Sequence, residues 1–222
     1  RPTCNGASPD YTVYPPTCDT GSTWCPLSDG STLNITEFTI TNSGTGAATN
    51  LVLASEVPEA RRAVAAFLAA NETASLWVRI NPIDGPDADK DLEAVLAGHP
   101  DGIVLPKAEG GTSVAELTRR LTARGNATAR ILAIATETPA AIFGLGTYGG
   151  NKRLAGLTWG AEDLPAAIGA ATSREEDGSF TAPYEIARAL CLFGAAAASV
   201  APIETVYPAF RDLDGLAAYA KR

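Results

Sequence analysis

From Leu51 onward, short apolar runs alternate with segments that repeat an apolar face every three or four residues. The runs are Leu51-Val-Leu53, Leu76-Trp-Val78, Gly102-Ile-Val-Leu105, Ile131-Leu-Ala-Ile134, Leu154-Ala-Gly-Leu-Thr-Trp159 and Pro202-Ile-Glu-Thr-Val206. Such short, nearly continuous runs predict strands buried on both faces. Between them, Val64, Phe67 and Leu68 share one helical face, as do Leu92, Val95 and Leu96. Val114, Leu117 and Leu121 form a third face, and Ile186, Ala189, Leu190 and Phe193 a fourth. Strands that each lead into an amphipathic helix predict an α/β fold, a parallel sheet covered by helices.

Residues 1–50 follow a different pattern, rich in Ser, Thr, Gly, Asn and Pro. Only Leu33-Asn-Ile-Thr-Glu-Phe-Thr-Ile40 alternates as a strand should, and Asn42-Ser-Gly-Thr-Gly46 after it signals a turn. The expected division is a loosely ordered or short-β segment over 1–50 and one βα-repeat domain over 51–222.

Repeated βα units build either an open doubly wound sheet or a closed (β/α)8 barrel. Polar residues follow the strand core in unit after unit: Arg79, Lys107, Glu137, then Glu162 and Asp163. Barrel enzymes collect groups from several strands at this C-terminal rim, whereas an open sheet gathers its site at one switch point. The pattern therefore predicts a TIM-barrel type.

Composition narrows the function. A net charge of -8 argues against a nucleic-acid surface, which needs clustered Lys and Arg. No run of about 18 apolar residues is present to span a membrane; Ala189–Val200 is short and Ala-rich and suits a packed helix. The chain starts with Arg1 and has no Met, so it is expected to be a processed, trimmed or spliced piece. Cys4, Cys18 and Cys25 could supply one disulfide and match no standard zinc spacing, while Cys191 reads as a buried thiol. The triplets at Asn34, Asn71 and Asn126 match the glycosylation pattern but are short enough to arise by chance.

Candidate chemistry rests on two acids and a base at strand ends. Glu137 and Asp163 lie one βα unit apart, so they should be neighbours on the rim, where a carboxylate pair can hold a hard divalent cation such as Mg²⁺. Arg79 offers a bidentate fork for a substrate carboxylate. Gly144-Leu-Gly-Thr-Tyr-Gly149 has dinucleotide-fingerprint spacing, but it follows a predicted helix instead of opening one, and reads as a loop. His99, the only histidine, falls on the opposite rim, so no Ser-His-Asp or Cys-His mechanism assembles.

Five segments together resemble the citrate lyase β-subunit family, which includes malyl-CoA lyases. They are Trp77-Val-Arg-Ile-Asn-Pro82, Gly102-Ile-Val-Leu-Pro-Lys-Ala-Glu109, Ile134-Ala-Thr-Glu-Thr138, Trp159-Gly-Ala-Glu-Asp-Leu164 and Val206-Tyr-Pro-Ala-Phe-Arg-Asp-Leu213. The resemblance runs from about Glu56 to the end. It implies a barrel, Mg²⁺ (or Mn²⁺) held by Glu137 and Asp163, and substrate contacts from Arg79 and Glu137. It also implies that Arg79, Glu137 and Asp163 together cleave a 3-hydroxyacyl thioester, of citryl-CoA or malyl-CoA type, into an acetyl thioester and a 2-oxo acid. A cytoplasmic homo-oligomer is implied too, with no nucleic-acid or membrane partner.

Three departures stand beside the resemblance. The family begins with an extra strand and helix, and its next strand carries an Asp-Leu-Glu-Asp motif where this chain reads Leu51-Val-Leu-Ala-Ser-Glu-Val57. It also continues beyond Arg222, and Glu204 stands where it commonly has Asp. These departures lead us to expect an incomplete barrel with open edges. Two rival readings follow: a class II aldolase of free 2-oxo acids, and a catalytically impaired fragment of such a lyase.

Overall fold

The computed structural model describes residues 51–52, 58–70, 75–209 and 211–221. The expected strand at Leu33–Ile40, the first three cysteines and the whole 1–50 segment lie outside the described residues.

Six parallel strands form one sheet: β1 (Leu51–Val52), β2 (Trp77–Arg79), β3 (Gly102–Leu105), β4 (Arg130–Ile134), β5 (Leu154–Thr158) and β6 (Ala201–Ile203). Their spatial order is β1-β2-β3-β4-β5-β6, the same as their chain order. A doubly wound sheet reverses its order at a switch point. This sheet has no such reversal, so it is an arc of the barrel type that the sequence predicts. The six apolar runs account for all six described strands, with ends that differ by at most three residues.

Among the described residues, seven α-helices follow the strands: α1 (Pro58–Ala70), α2 (Ala88–Val95), α3 (Gly111–Ala123), α4 (Pro139–Gly144), α5 (Leu164–Ile168) and α6 (Ala182–Ala198) between strands, and α7 (Leu213–Tyr219) after β6. They cover one face of the sheet. On that face Val78, Ile103, Leu105, Ile131, Ala133 and Leu157 pack with Leu92, Val95, Val114, Leu117 and Leu121. On the other face, Val104, Leu132 and Ile134 pack with Trp77. Strand periodicity puts Arg79 on this same inner face, beside Val104 in register. Gly102 has to be small here, because a Cβ would stand 2.2 Å from the Trp77 ring.

One helix differs from its expected orientation. The face of α6 expected inside, with Ile186, Leu190 and Phe193, is 58%, 37% and 65% exposed. Tyr184, Ala187, Cys191 and Ala195 turn inward instead. At Gly194 a Cβ would lie 2.9 Å from the Leu145 carbonyl oxygen, so the small-residue face is the one that can approach the neighbouring segment. Close packing against backbone outweighs side-chain hydrophobicity in choosing the inner face of this Ala-rich helix.

Candidate active site

Each rim residue is fixed by what ends its strand. After β4 the chain reads Thr136-Glu-Thr-Pro139, and Thr138 caps α4 by accepting from the Ala141 amide at 3.2 Å. Pro139 follows at the first helical position, where its missing N–H costs nothing. Strand and helix therefore meet at Glu137, with no slack between them. Thr138 also donates to Glu109 Oε1 at 2.7 Å, joining this rim segment to the one after β3.

Glu137 is 6% exposed. Burial pushes its carboxyl up to about 7. The Lys107 amide and the Arg79 charge pull it down, while the neighbouring Asp163 carboxylate pushes it up. The Lys107 main-chain N–H donates to Glu137 Oε2 at 2.5 Å. Asp163 precedes α5 without capping it, so its carboxylate is left to the rim. Lys107 Nζ lies 3.9 Å from Asp163 Oδ2.

Gly160 sets the approach of the two acidic segments. A Cβ there would meet Glu137 Cγ at 2.5 Å. Its amide donates to the fully buried Thr136 Oγ1 at 2.9 Å. Trp159, just before it, packs edge-on against Phe180 at 4.8 Å.

The turn that follows Arg79 is held from outside the sheet. Asp91 is fully buried, takes Arg61 Nε at 2.7 Å, and accepts from both the main-chain and side-chain nitrogens of Asn81 at 2.8 and 2.6 Å. Asp87 takes the other end of the Arg61 fork at 3.0 Å. This network ties α1 and α2 to the turn two residues beyond Arg79.

Glu204, after β6, accepts from Trp159 Nε1, from Arg188 Nε at 2.8 Å, from Tyr219 OH at 3.1 Å and from the Thr205 amide at 2.9 Å. The Asp91 cluster belongs to no motif and escapes the sequence reading, while Glu204 enters it only as a departure from the family's Asp. A buried Asp in a helix of otherwise alternating charge is the faint signal that could have found the first.

The structure thus brings together Glu137, Asp163, Lys107 and, through its charge, Arg79. His99 is exposed in a left-handed turn before β3, on the far rim as expected. Gly144–Gly149 spans the end of α4 and a short 3-10 turn, as a loop should. Gly144 is needed there because a Cβ would press on the Glu109 carbonyl oxygen at 2.1 Å.

Donor chemistry allows a test of fit for Mg²⁺. The paired groups are carboxylates only, and among the described residues no cluster of three or more His, Cys, Asp or Glu is placed to hold a metal. Zinc sites use three or four protein ligands, often His or Cys. Mg²⁺ is typically held by one or two carboxylates, with waters and substrate oxygens completing an octahedron. Glu137 and Asp163 fit that pattern.

A singly wound parallel arc with acids, a lysine and an arginine at its C-terminal rim defines a barrel-type α/β protein with a candidate enzyme site. Over residues 52–222 the chain matches the HpcH/HpaI aldolase/citrate lyase family model, and it belongs to that family. A citrate lyase subunit beta-like protein of Mycobacterium tuberculosis is 33% identical over 139 residues, covering 63% of this chain and 47% of that protein. The chain therefore spans about half the length of this relative. Among solved structures, the M. tuberculosis citrate lyase beta subunit complexed with oxaloacetate and magnesium is 29% identical, with a TM-score of 0.63, over 77% of this chain and 74% of that one. The M. tuberculosis protein CitE in complex with magnesium, acetoacetate and coenzyme A gives 29% and 0.63 over 77% and 61%. RipC from Yersinia pestis gives 26% and 0.60 over 77% and 74%.

Proposed function

We propose that this chain carries the site of a Mg²⁺-dependent carbon–carbon lyase that cleaves a 3-hydroxyacyl thioester into an acetyl thioester and a 2-oxo acid. The observation that carries the reading is the buried Glu137 carboxyl beside Asp163 at the rim, with Lys107 touching both carboxylates. Two carboxylates at such close range repel when both are charged, and a divalent cation between them relieves that repulsion. The relatives with magnesium, oxaloacetate and coenzyme A in their structures support the same reading.

Glu137 and Asp163 would hold Mg²⁺, which supplies Lewis-acid polarisation and a template for the oxo-acid oxygens. Arg79 faces the inner side of the sheet, where its planar fork can take the substrate carboxylate in two hydrogen bonds. Its fixed charge also opposes the negative charge that develops on the enolate as the carbon–carbon bond breaks. The Asp91–Asn81 network keeps the Arg79 turn in place as that charge forms. An aldolase of free 2-oxo acids would use the same carboxylates, and activity without a thioester would favour it. A cytoplasmic location and association of copies, both implied by the family resemblance, belong to this proposal as well.

Calorimetry with Mg²⁺ on the wild-type chain and on Asp163→Ala tests the metal site, with measurable binding expected only in wild type. Steady-state kinetics with malyl-CoA and citryl-CoA test the chemistry. Arg79→Lys should lower kcat/KM by about tenfold or more, because a point charge does not reproduce the fork. Equal metal affinity in the Asp163 variant would remove that residue from the site, and an unchanged kcat/KM would make Arg79 structural.

A further inference from the structure

Lys107 is the one described residue that reaches both rim carboxylates, and it does so through different atoms. Its main-chain N–H donates to Glu137 Oε2 at 2.5 Å. Its ammonium lies 3.9 Å from Asp163 Oδ2. The backbone there is left-handed, with φ of 50°, a conformation that a long side chain adopts only where its surroundings require it.

The surroundings do require it. Pro106 precedes Lys107 and fixes its own φ. The Ala108 amide, on the other side, donates to the Ile134 carbonyl at 3.2 Å. The Ala108 carbonyl accepts from the buried Tyr148 hydroxyl at 2.8 Å. With both neighbours tied, the amide of residue 107 is turned toward Glu137 and its side chain toward Asp163.

The side chain is 49% exposed. A lysine held on a flexible four-carbon stem can leave Asp163 at little cost, since an exposed ion pair is weak. Its charge nonetheless sits beside the carboxylate that is proposed to take a cation. An ammonium cannot ligate a metal, so it can act there only through charge.

We propose that Lys107 is a positioning residue for the Glu137–Asp163 pair, in which its amide orients Glu137 and its ammonium is the resident counter-charge of Asp163 that sets the pair's affinity for a divalent cation. Lys107 holds the pair together in the cation-free chain and moves off Asp163 when a cation binds. Its charge is then free to face the anionic ligand that completes the site. This inference rests on the metal reading above and goes beyond it by naming what tunes the affinity.

Mn²⁺ is a suitable probe, because the free ion is counted directly by electron paramagnetic resonance. The full chain would be titrated as wild type, Lys107→Gln, Lys107→Arg and Lys107→Gly. Removing the competing charge in Lys107→Gln should tighten Mn²⁺ binding by about threefold to tenfold at low ionic strength. The gain should shrink in about 0.5 M salt, where exposed charges are screened. Lys107→Arg keeps the charge and should bind as wild type does. Lys107→Gly removes the charge at a residue type that carries no penalty for positive φ, so it reports the same gain if the Gln variant folds poorly. Unchanged or weaker Mn²⁺ binding in both neutral variants overturns the counter-charge role. Failure of wild type itself to bind Mn²⁺ overturns the metal site, and this inference with it.

Discussion

The middle of the sheet and its β6 end are built from equally apolar sequence but reach different degrees of burial. All four residues of β3 are buried, and β4 is buried from its second residue onward. Both strands have a parallel neighbour on each side, helices on one face, and Trp77, Val104, Leu132 and Ile134 on the other. At β6 all three residues are exposed, and among the described residues β5 is its sole neighbour. Leu192, Phe193, Ile203 and Leu213 are exposed nearby. A strand made for a buried position shows its sequence pattern whether or not the described structure covers it. Apolar runs therefore report where burial is intended, and the neighbours decide where it occurs.

The largest effect expected from this difference is at Asp91, in the covered half. Its carboxylate is fully buried and takes Arg61 and both nitrogens of Asn81. Removing one partner of a buried charged network costs about 3–5 kcal/mol. Asp91→Ala should lower the urea midpoint accordingly, and should also raise KM if the Asn81 turn positions Arg79. Next in size is a paired test of the two halves. Leu117 is fully buried under the sheet, and Leu117→Ala should cost about 2–4 kcal/mol. Leu192 is 51% exposed, and Leu192→Ala should stay within about 0.5 kcal/mol. Similar losses at both positions would mean that something covers α6 in solution, and that its outer face is as buried as the middle of the sheet.

The strands were legible in the sequence because parallel strands buried on both faces leave continuous apolar runs. The rim residues were legible because each stands at or just past the end of such a run: Arg79 closing β2, Glu137 after β4, Asp163 after β5. Three features were less visible, each for a physical reason. The inner face of α6 is chosen by a close approach at Gly194, which hydropathy does not register. The amide of Lys107 contributes through its backbone, and no side-chain motif reports a main-chain donor. Asp91 and Glu204 gather partners from elements far apart in the chain, and no local spacing brings such partners together.

The one predicted effect that depends on pH concerns Glu204, at the exposed end. Burial pushes its carboxyl up, but the Thr205 amide, Trp159 and Arg188 outweigh that and hold it below its ordinary value of 4.5. Folding therefore favours the charged form, because the folded chain binds this proton less readily than the unfolded one. The resulting stability is present above the ordinary value and is lost as pH falls through it toward the lowered one. Its side chain is 38% exposed, so screening by water limits the effect to about 1 kcal/mol. Glu204→Gln keeps the size and removes the charge. Urea unfolding of both proteins should show a gap near pH 7 that narrows as pH falls below 4.5. Taking the difference between the two cancels the other carboxylates that titrate in the same range. A gap that stays constant from pH 7 down to about pH 3 would assign the loss to shape instead of charge. Glu204 would then join β6, α6 and α7 through hydrogen-bond geometry alone, and the exposed end would owe nothing to electrostatics that the covered middle does not.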